Sequence, residues 1–246
     1  MKDNFSGHAP DYARYRPTYP NTLFAFVYER LSHFDAAWDC GTGNGQVAAK
    51  LAERFDHVYA TDLSANQLAQ APQRTNITYR MQRAEAASFD GQSLDLITVA
   101  QALHWFDFEV FYATVHRVLK PDGLLAVWGY TLLSVNDAVD TIVRHLHSDT
   151  LDNYWDPERA YVDARYQTIP FPFDEIAAPE FTQSLRWSFA DLIGYLNTWS
   201  AVKHFIGSAG RNPVSALEAD LQRAWGTAEW QTVHVPIFLR LGKKRT

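Results

Sequence analysis

The 246-residue sequence predicts one α/β domain built on a mainly parallel β-sheet. Three observations support this fold class. The first half alternates short β-rich runs with helical patterns, which is typical of βαβ units. A glycine-rich loop follows the first strand run and opens a helix. After two further helices the chain finishes its pattern in an apolar run at 232–241, which indicates a sheet completed by an antiparallel pair of strands.

The predicted strands are short and mostly apolar: Ala36–Asp39, His57–Thr61, Ile77–Met81, Leu94–Ala100, Leu124–Gly129, Gln183–Ser188 and Thr232–Leu241. Helical patterns separate them: Thr22–Leu31, the glycine loop to about Arg54, a short helix from Ser64, Phe108–Leu119, an amphipathic helix at Asp137–Thr150, Phe189–Thr198 and Pro213–Trp225. Leu94–Ala100 is nearly all apolar, as expected of a central strand covered on both faces. The turn signal Pro121-Asp122-Gly123 separates the fourth long helical run from the fifth strand.

The domain divides into four stretches. Residues 1–35 form an N-terminal lid and helix, and residues 36–131 form the cofactor-binding core. Residues 132–182 break the βα alternation and carry Trp155, Pro157, Pro170 and Pro172, which indicates an insertion that caps the substrate pocket. Residues 183–246 supply the final strands and helices.

Composition excludes several function classes. The net charge of −6 argues against a nucleic-acid partner, and no stretch approaches eighteen uninterrupted apolar residues, so no membrane partner is expected. The single cysteine, Cys40, cannot form an internal disulfide, and the scattered histidines predict no metal site. A cytoplasmic protein with a small-molecule substrate is the expectation.

The most informative segment is Asp39-Cys40-Gly41-Thr42-Gly43-Asn44-Gly45. Glycines let the chain turn sharply and let a ligand approach the main chain. Asp62 closes the second strand about twenty residues later, where nucleotide-binding α/β folds place a carboxylate for ribose hydroxyls. A dinucleotide loop has its third glycine five residues after the first, but Gln46 stands there. Asp39 would also repel a pyrophosphate but could anchor an ammonium group.

With these motifs, the chain resembles the class I S-adenosylmethionine-dependent methyltransferases of the methyltransferase-11 type, and particularly their trans-aconitate methyltransferase-like branch. The resemblance spans roughly residues 5–129. It is carried by segments that share this family's pattern: Tyr12–Pro17, Asp39–Gly45, Asp62, Ala84–Ala86, Ala100–Phe106 and Leu119–Gly123. It implies a Rossmann-like sheet of seven strands with the last one antiparallel, helices on both faces, and an insertion after the fifth strand.

The resemblance also implies which residues contact S-adenosylmethionine. Asp62 would hold the ribose and Leu63 would pack on the adenine, while Arg16 is a candidate for the methionine carboxylate. The full set lies in the N-terminal segment, the glycine loop and the ends of the strands: Tyr15, Arg16, Asp39, Gly41, Thr42, Gly43, Asp62, Leu63, Ala84, Glu85, Ala86, Gln101 and Ala102.

His104, after the fourth strand, is the best candidate for a catalytic base. The resemblance to the trans-aconitate methyltransferase-like branch implies an acidic small-molecule substrate, and arginines are suitable partners for its carboxylate. The candidate substrate-binding residues are cations and aromatics: Arg14, Trp105, Trp155, Arg159, Arg165, Tyr166, Trp199 and Lys203.

Three functions stay open from the sequence. The first is O-methylation of a carboxylate on a small molecule. The second is methylation of a hydroxyl or amine with His104 as base, which the 14% aromatic content favours. The third is a cofactor-binding protein without catalysis. A nicotinamide dehydrogenase is disfavoured by Asp39 and by the glycine spacing.

Overall fold

The apolar runs of the first half form the parallel centre of one β-sheet. The computed structural model describes residues 15–244. Its strands are β1 (Ala36–Cys40), β2 (His57–Asp62), β3 (Ile77–Met81), β4 (Leu94–Ala100), β5 (Leu119–Tyr130), β6 (Asp174–Ile176), β7 (Phe181–Trp187) and β8 (Gln231–Lys243). The order begins β3-β2-β1-β4-β5, with all five strands parallel, and continues to β8, which is antiparallel to β5.

Helices connect and cover the strands: α1 (Asn21–Tyr28), α2 (Gln46–Leu51), α3 (Ala65–Leu68), α4 (Phe108–Val118), α5 (Asp137–His145), α6 (Arg159–Asp163), α7 (Phe189–Asn197), α8 (Ser200–Ala209) and α9 (Pro213–Trp225). Polar side chains define several helix starts. Asp107 caps α4 and Asn136 caps α5, while Ser188 and Asp191 form a reciprocal capping box on α7. These caps satisfy backbone N–H groups that a helix leaves unpaired at its first turn.

Alternation along the central strands divides the core between the two faces of the sheet. Ala37, Leu96 and Trp128 point to the face covered by α1 and α2, while Trp38, Ile97 and Val127 point to the face covered by α4. All six are at most 1% exposed. The central strands are therefore buried on both faces, as their apolar composition predicts.

The structure confirms the predicted Rossmann-like sheet with its antiparallel last strand, and several elements differ from the prediction. The sheet has eight strands rather than seven, because the three-residue β6 pairs with the end of β8; its sequence Asp-Glu-Ile carries no strand alternation. The helix predicted over 137–150 is α-helical to His145 and continues as a short π-helix over Leu146–Thr150. Helices α6 and α8 were not predicted, and both are held by tertiary packing of a few buried residues.

Strand β8 ties the later part of the chain to the core. One edge of β8 pairs with β5 over Ile237–Lys243. The other edge pairs with β7 over Gln231–Ile237 and with β6 over Leu241–Lys243. Within residues 15–244, no helix is long and apolar enough to cross a membrane.

Candidate active site

The glycine loop between β1 and α2 uses left-handed backbone at three positions. Gly41, Gly43 and Gly45 have φ values of 70°, 55° and 78°. A Cβ on Gly41 would lie 2.7 Å from Ala102 Cβ, and one on Gly45 would lie 2.7 Å from the Tyr79 hydroxyl. A Cβ on Gly43 would meet no atom within 4 Å, so this glycine faces open space. Two of the glycines thus permit close packing, and the middle one leaves room for a ligand.

Asp39 is buried beneath this loop. Its Oδ2 accepts hydrogen bonds from the Thr42 hydroxyl and from the Ala48 N–H (3.1 Å), and its Oδ1 accepts one from the Thr98 hydroxyl (2.8 Å). Burial raises the pKa of the Asp39 carboxyl to about 6, against the opposing effect of the hydroxyl donors. The side chain predicted to anchor an ammonium group therefore also fastens the loop to α2 and β4.

Asp62 fixes the other side of the loop. Its two oxygens accept hydrogen bonds from the N–H groups of Gly43 and Ser64, each at 2.8 Å. The N–H groups of Gly41 and Thr42 both donate to the Thr61 carbonyl at 2.9 Å. Backbone contacts from Gly41 to a ligand would therefore come from its carbonyl rather than its N–H.

A cleft of about 480 Å³, counted to its open mouth, lies over the loop. Six of the predicted cofactor residues line it: Arg16, Asp39, Gly41, Thr42, Gly43 and Gln101. Seven other lining residues were not predicted: Pro17, Tyr19, Asn44, Gln46, Val47, Ala100 and Tyr130. Tyr130 ends β5 at the carboxyl edge of the sheet, the position at which α/β folds bind ligands, so its place in the pattern could have identified it.

The remaining predicted cofactor residues do not line this cleft. Ala102 packs against Gly41, and Tyr15 packs against Gly194, where a Cβ would lie 2.6 Å from the tyrosine ring. Glu85 accepts a hydrogen bond from the Asp107 N–H at the start of α4 (3.0 Å). The others lie at or just after the carboxyl ends of two strands: Asp62 is the last residue of β2 and Leu63 follows it, while Ala84 and Ala86 are in a short turn of helix after β3.

A second cavity of about 680 Å³, counted to its mouth, adjoins the first. Its walls come from the N-terminal segment, the ends of β4 and β5, the insertion and the α7–α8 region: Arg16, Gln101, His104, Trp105, Tyr130, Thr131, Leu132, Trp155, Asp156, Arg159, Val162, Tyr195, Trp199 and Ser200. Arg16, Gln101 and Tyr130 also line the cleft over the glycine loop. The two compartments therefore meet at these three side chains, an arrangement suited to transfer between two bound molecules.

The shared residues are held in place by hydrogen bonds. Arg16 donates to the Tyr130 hydroxyl and to the Thr198 carbonyl (3.1 Å). Gln101 has a φ of 56° and its Oε1 accepts a hydrogen bond from the Tyr130 N–H (2.9 Å). A Cβ on Gly129 would lie 2.6 Å from that Oε1, so glycine is needed there for the amide to cross the strand.

His104 forms part of the second cavity and is 8% exposed. Its Nδ1 lies 2.7 Å from the hydroxyl of Tyr166, which is fully buried behind it. Burial, assisted by the positive charge of Arg159, lowers the pKa of His104 to about 3. The imidazole is therefore neutral at physiological pH.

The insertion contributes the charged wall of this cavity. The guanidinium of Arg159 lies 4.9 Å from the centroid of the Trp155 ring and its Nε bonds Asp163 at 2.9 Å. The Trp155 and Trp199 rings lie 5.5 Å apart. Asp156, 8% exposed, also lines the cavity. Two guanidinium groups and one carboxylate thus border a space that is otherwise largely aromatic.

The predicted substrate residues divide into those that line this cavity and those that do not. Trp105, Trp155, Arg159 and Trp199 line it. Arg165, by contrast, forms an ion pair with Glu180 in a separate depression. Arg165 lies just after the end of α6, and its φ of 52° turns the chain away from the helix direction. Lys203 is on α8 and does not line the cavity, and the fully buried Tyr166 lies behind His104 rather than on the cavity wall. Arg14 lies outside the described residues.

Among residues 15–244, no group of three or more His, Cys, Asp or Glu side chains is arranged to hold a metal ion.

Comparison with known proteins supports one family. Residues 38–127 match a family model described as a methyltransferase domain. The chain is 32% identical to a candidate methyltransferase of Dictyostelium discoideum, over 98% of this chain and 95% of that protein. It is 28% identical to a methyltransferase of Aspergillus candidus, over 91% and 80% of the two chains. The solved structure of a candidate type II methyltransferase from Anaeromyxobacter dehalogenans matches with a TM-score of 0.86 and 38% identity, covering 93% and 97% of the two chains.

Proposed function

Since the chain belongs to the class I S-adenosylmethionine-dependent methyltransferases, we propose that it methylates an ionised carboxylate of a small molecule bound beside His104 and Arg159. The branch related to trans-aconitate methyltransferases stays a prediction. The observation that carries the proposal is the guanidinium of Arg159 on the wall of the second cavity, which lies apart from the Arg16 guanidinium that both compartments share.

The cleft over the glycine loop fits the cofactor by its shape and donor set. Gly43 leaves open space where any side chain would intrude. The carbonyl of Gly41 and the Asp39 carboxylate suit the ammonium of the methionine part, and Arg16 suits its carboxylate. Asp62 suits the ribose hydroxyls. When bound, S-adenosylmethionine supplies an electrophilic methyl group on its sulfonium.

Arginines on the cavity wall suit an anionic acceptor. A guanidinium can pair with a carboxylate through two parallel hydrogen bonds. Such a pair is stronger where water is partly excluded, because the local dielectric constant is lower. A carboxylate is already ionised at neutral pH, so its oxygen can attack without a general base. The protein then needs to align the two bound molecules and to exclude water, which the aromatic walls of Trp155 and Trp199 can do.

The alternatives are less well supported. Methylation of a hydroxyl needs a base matched to neutral pH, whereas the pKa of His104 is lowered to about 3, so its imidazole binds a proton only weakly. Membership of an enzyme family disfavours a cofactor-binding protein without catalysis. We also propose that residues 132–182 cap the acceptor pocket, because Trp155 and Arg159 of this stretch line it.

The test is an acceptor screen with methyl-labelled S-adenosylmethionine. The panel holds small mono- and dicarboxylic acids, each paired with the matching amide and alcohol. A carboxyl methyl ester releases volatile labelled methanol in alkali, whereas methyl ethers and methylamines do not. Label that is released by alkali supports the proposal; turnover confined to alcohols or amines refutes it.

A matched pair of variants links the activity to the cavity wall. Arg159→Gln removes the guanidinium from the cavity, and Arg165→Gln removes one from the same insertion but outside the cavity. We expect Arg159→Gln to raise the KM for the carboxylate by roughly tenfold to a hundredfold, from one charge-assisted interaction. Arg165→Gln should leave that KM unchanged. Equal effects of the two variants would contradict the assigned role of Arg159.

A further inference from the structure

We propose that Tyr166 positions His104 as a hydrogen-bond donor to the acceptor substrate, by donating its own hydroxyl proton to His104 Nδ1 and so leaving the ring proton on Nε2. This inference rests on the proposed function in naming what His104 contacts. It assigns to Tyr166 a role behind the cavity wall rather than in it, and it excludes His104 as the base.

The backbone of Tyr166 is fixed by hydrogen bonds as well as by packing. Its backbone has a φ of 58°, which is uncommon for a bulky residue and has to be maintained by its surroundings. Arg240, 7% exposed, donates from Nη1 to the carbonyls of Tyr166 and Ile169, both at 2.8 Å. The same guanidinium forms two bonds of 2.8 Å to Glu175 on β6. Arg240 on β8 and Glu175 on β6 thus hold the backbone of Tyr166, the residue that contacts His104.

Counting donors and acceptors selects the direction of the hydrogen bond. The Tyr166 hydroxyl is fully buried, and among the described residues its hydrogen-bond partner is His104 Nδ1. If Nδ1 carried the proton and donated, the hydroxyl hydrogen of Tyr166 would be left without an acceptor in the protein interior. If Tyr166 donates, its hydroxyl hydrogen is bonded to Nδ1 and no buried hydrogen of this pair is left without an acceptor. Burial also raises the pKa of Tyr166, so the hydroxyl keeps its proton.

The tautomer determines what the cavity presents to a substrate. A neutral imidazole that accepts at Nδ1 carries its proton on Nε2. Because Nδ1 is directed at the buried Tyr166, the N–H group is left for the cavity that His104 lines. Together with Arg16 and Arg159, the His104 N–H gives the cavity a set of hydrogen-bond donors. A substrate group that has lone pairs and no proton to lose fits these donors. This selects an ionised carboxylate over a hydroxyl or a protonated amine.

The first test needs neither cofactor nor acceptor. In protein labelled with ¹⁵N-histidine, long-range ¹H–¹⁵N correlation distinguishes a protonated ring nitrogen from an unprotonated one. The His104 signals are assigned by their loss in His104→Asn. We expect an unprotonated Nδ1 and a protonated Nε2. A protonated Nδ1 with an unprotonated Nε2 would overturn the inference.

Two variants show whether Tyr166 makes the bond. Tyr166→Phe keeps the ring that packs edge-on against Phe238 at 5.1 Å and removes only the hydroxyl, so the Nδ1 resonance should move to higher frequency as its hydrogen bond is lost. Tyr112→Phe removes a hydroxyl that is equally buried but is not bonded to His104, and it should leave both ring nitrogens unchanged. An unchanged Nδ1 resonance in Tyr166→Phe refutes the positioning role.

The second test uses the acceptor found in the screen. A glutamine amide can place its N–H near the position of Nε2, so His104→Gln keeps the donor but lacks a ring base. We expect His104→Gln to retain kcat/KM within about tenfold, and His104→Ala to lose roughly ten to a hundred times. Equal losses in both would show that the donor is not the contribution of His104. If the ring nitrogens behave as expected but no carboxylate is methylated, the proposed function fails and the positioning of His104 stands.

Discussion

Replacement of Asp39 by asparagine tests how the ionised carboxylate affects stability. The asparagine oxygen can occupy the position of Oδ2 and accept from Thr42 and Ala48, while its amide can donate to the Thr98 hydroxyl, which accepts as readily as it donates. The variant therefore keeps two of the hydrogen bonds, reverses the direction of the third and removes the charge. Its effect on folding should come from the cost of ionising a buried carboxyl.

The size and the pH range of this effect follow from the pKa. Burial raises the pKa of Asp39 to about 6 in the folded protein, whereas an unfolded aspartate titrates near 3.9. The folded state therefore binds more protons than the unfolded state between these values, and stability falls as pH rises through this range. The full cost of ionisation is about 3 kcal/mol, of which about 2 kcal/mol is added between pH 4.5 and pH 7.5.

The assay is urea unfolding of wild type and Asp39→Asn at both pH values. Titration of other groups is common to the two proteins, so the difference between them isolates Asp39. We expect the variant to gain about 2 kcal/mol relative to wild type on going from pH 4.5 to pH 7.5, at unchanged m-values. A difference that is constant with pH, or one of opposite sign, would refute the assigned pKa direction.

Two further predictions concern the cofactor cleft and the N-terminal segment. Asp62→Ala should weaken S-adenosylhomocysteine binding by roughly ten to a hundred times in calorimetry, because it removes a carboxylate that can accept hydrogen bonds. The control is Asp122→Ala, which changes an exposed aspartate and should bind normally. Equal affinities of the two variants would contradict the role of Asp62. Gly194→Ala should displace the Tyr15 ring, which would lie 2.6 Å from the new Cβ, and lower the Tm. Gly207→Ala, with open space around its Cβ, should raise stability by about 0.5–1 kcal/mol; a raised Tm for both would show that Tyr15 does not pack there.

Local rules of sequence were sufficient for the centre of the fold. Short, mostly apolar runs located β1 to β4, and the glycine pattern located the cleft, because backbone conformation and strand burial depend mainly on neighbouring residues. The end of β5 was placed well, but its start was not. Leu119 already pairs with Leu94, and the proline turn lies in an irregularity of the strand rather than before it.

The second cavity was harder to predict because distant segments build it. Arg159 and Arg165 are six residues apart and chemically alike, yet only Arg159 lines the cavity. The end of α6 and the left-handed conformation after it determine this difference. The hydrogen bonds of Asp39 were also not predictable from neighbouring residues alone. Its hydrogen bond to Thr98 joins residues 59 apart and depends on the pairing of β1 with β4. Such contacts follow from strand register, which the sequence pattern leaves open.

The pairing of β8 has a consequence for how the chain folds during synthesis. Residues 231–243 leave the ribosome after every other described strand, and until then β5 presents its hydrogen-bonding edge with no partner. The same strand also gives β6 and β7 their pairing, so the sheet beyond β5 assembles only after translation has passed residue 243. An incomplete chain exposes an apolar strand edge of the kind that pairs with other chains. Forms of this protein that end before residue 231 should therefore aggregate, even though β1 to β5 and the glycine loop have already been synthesised.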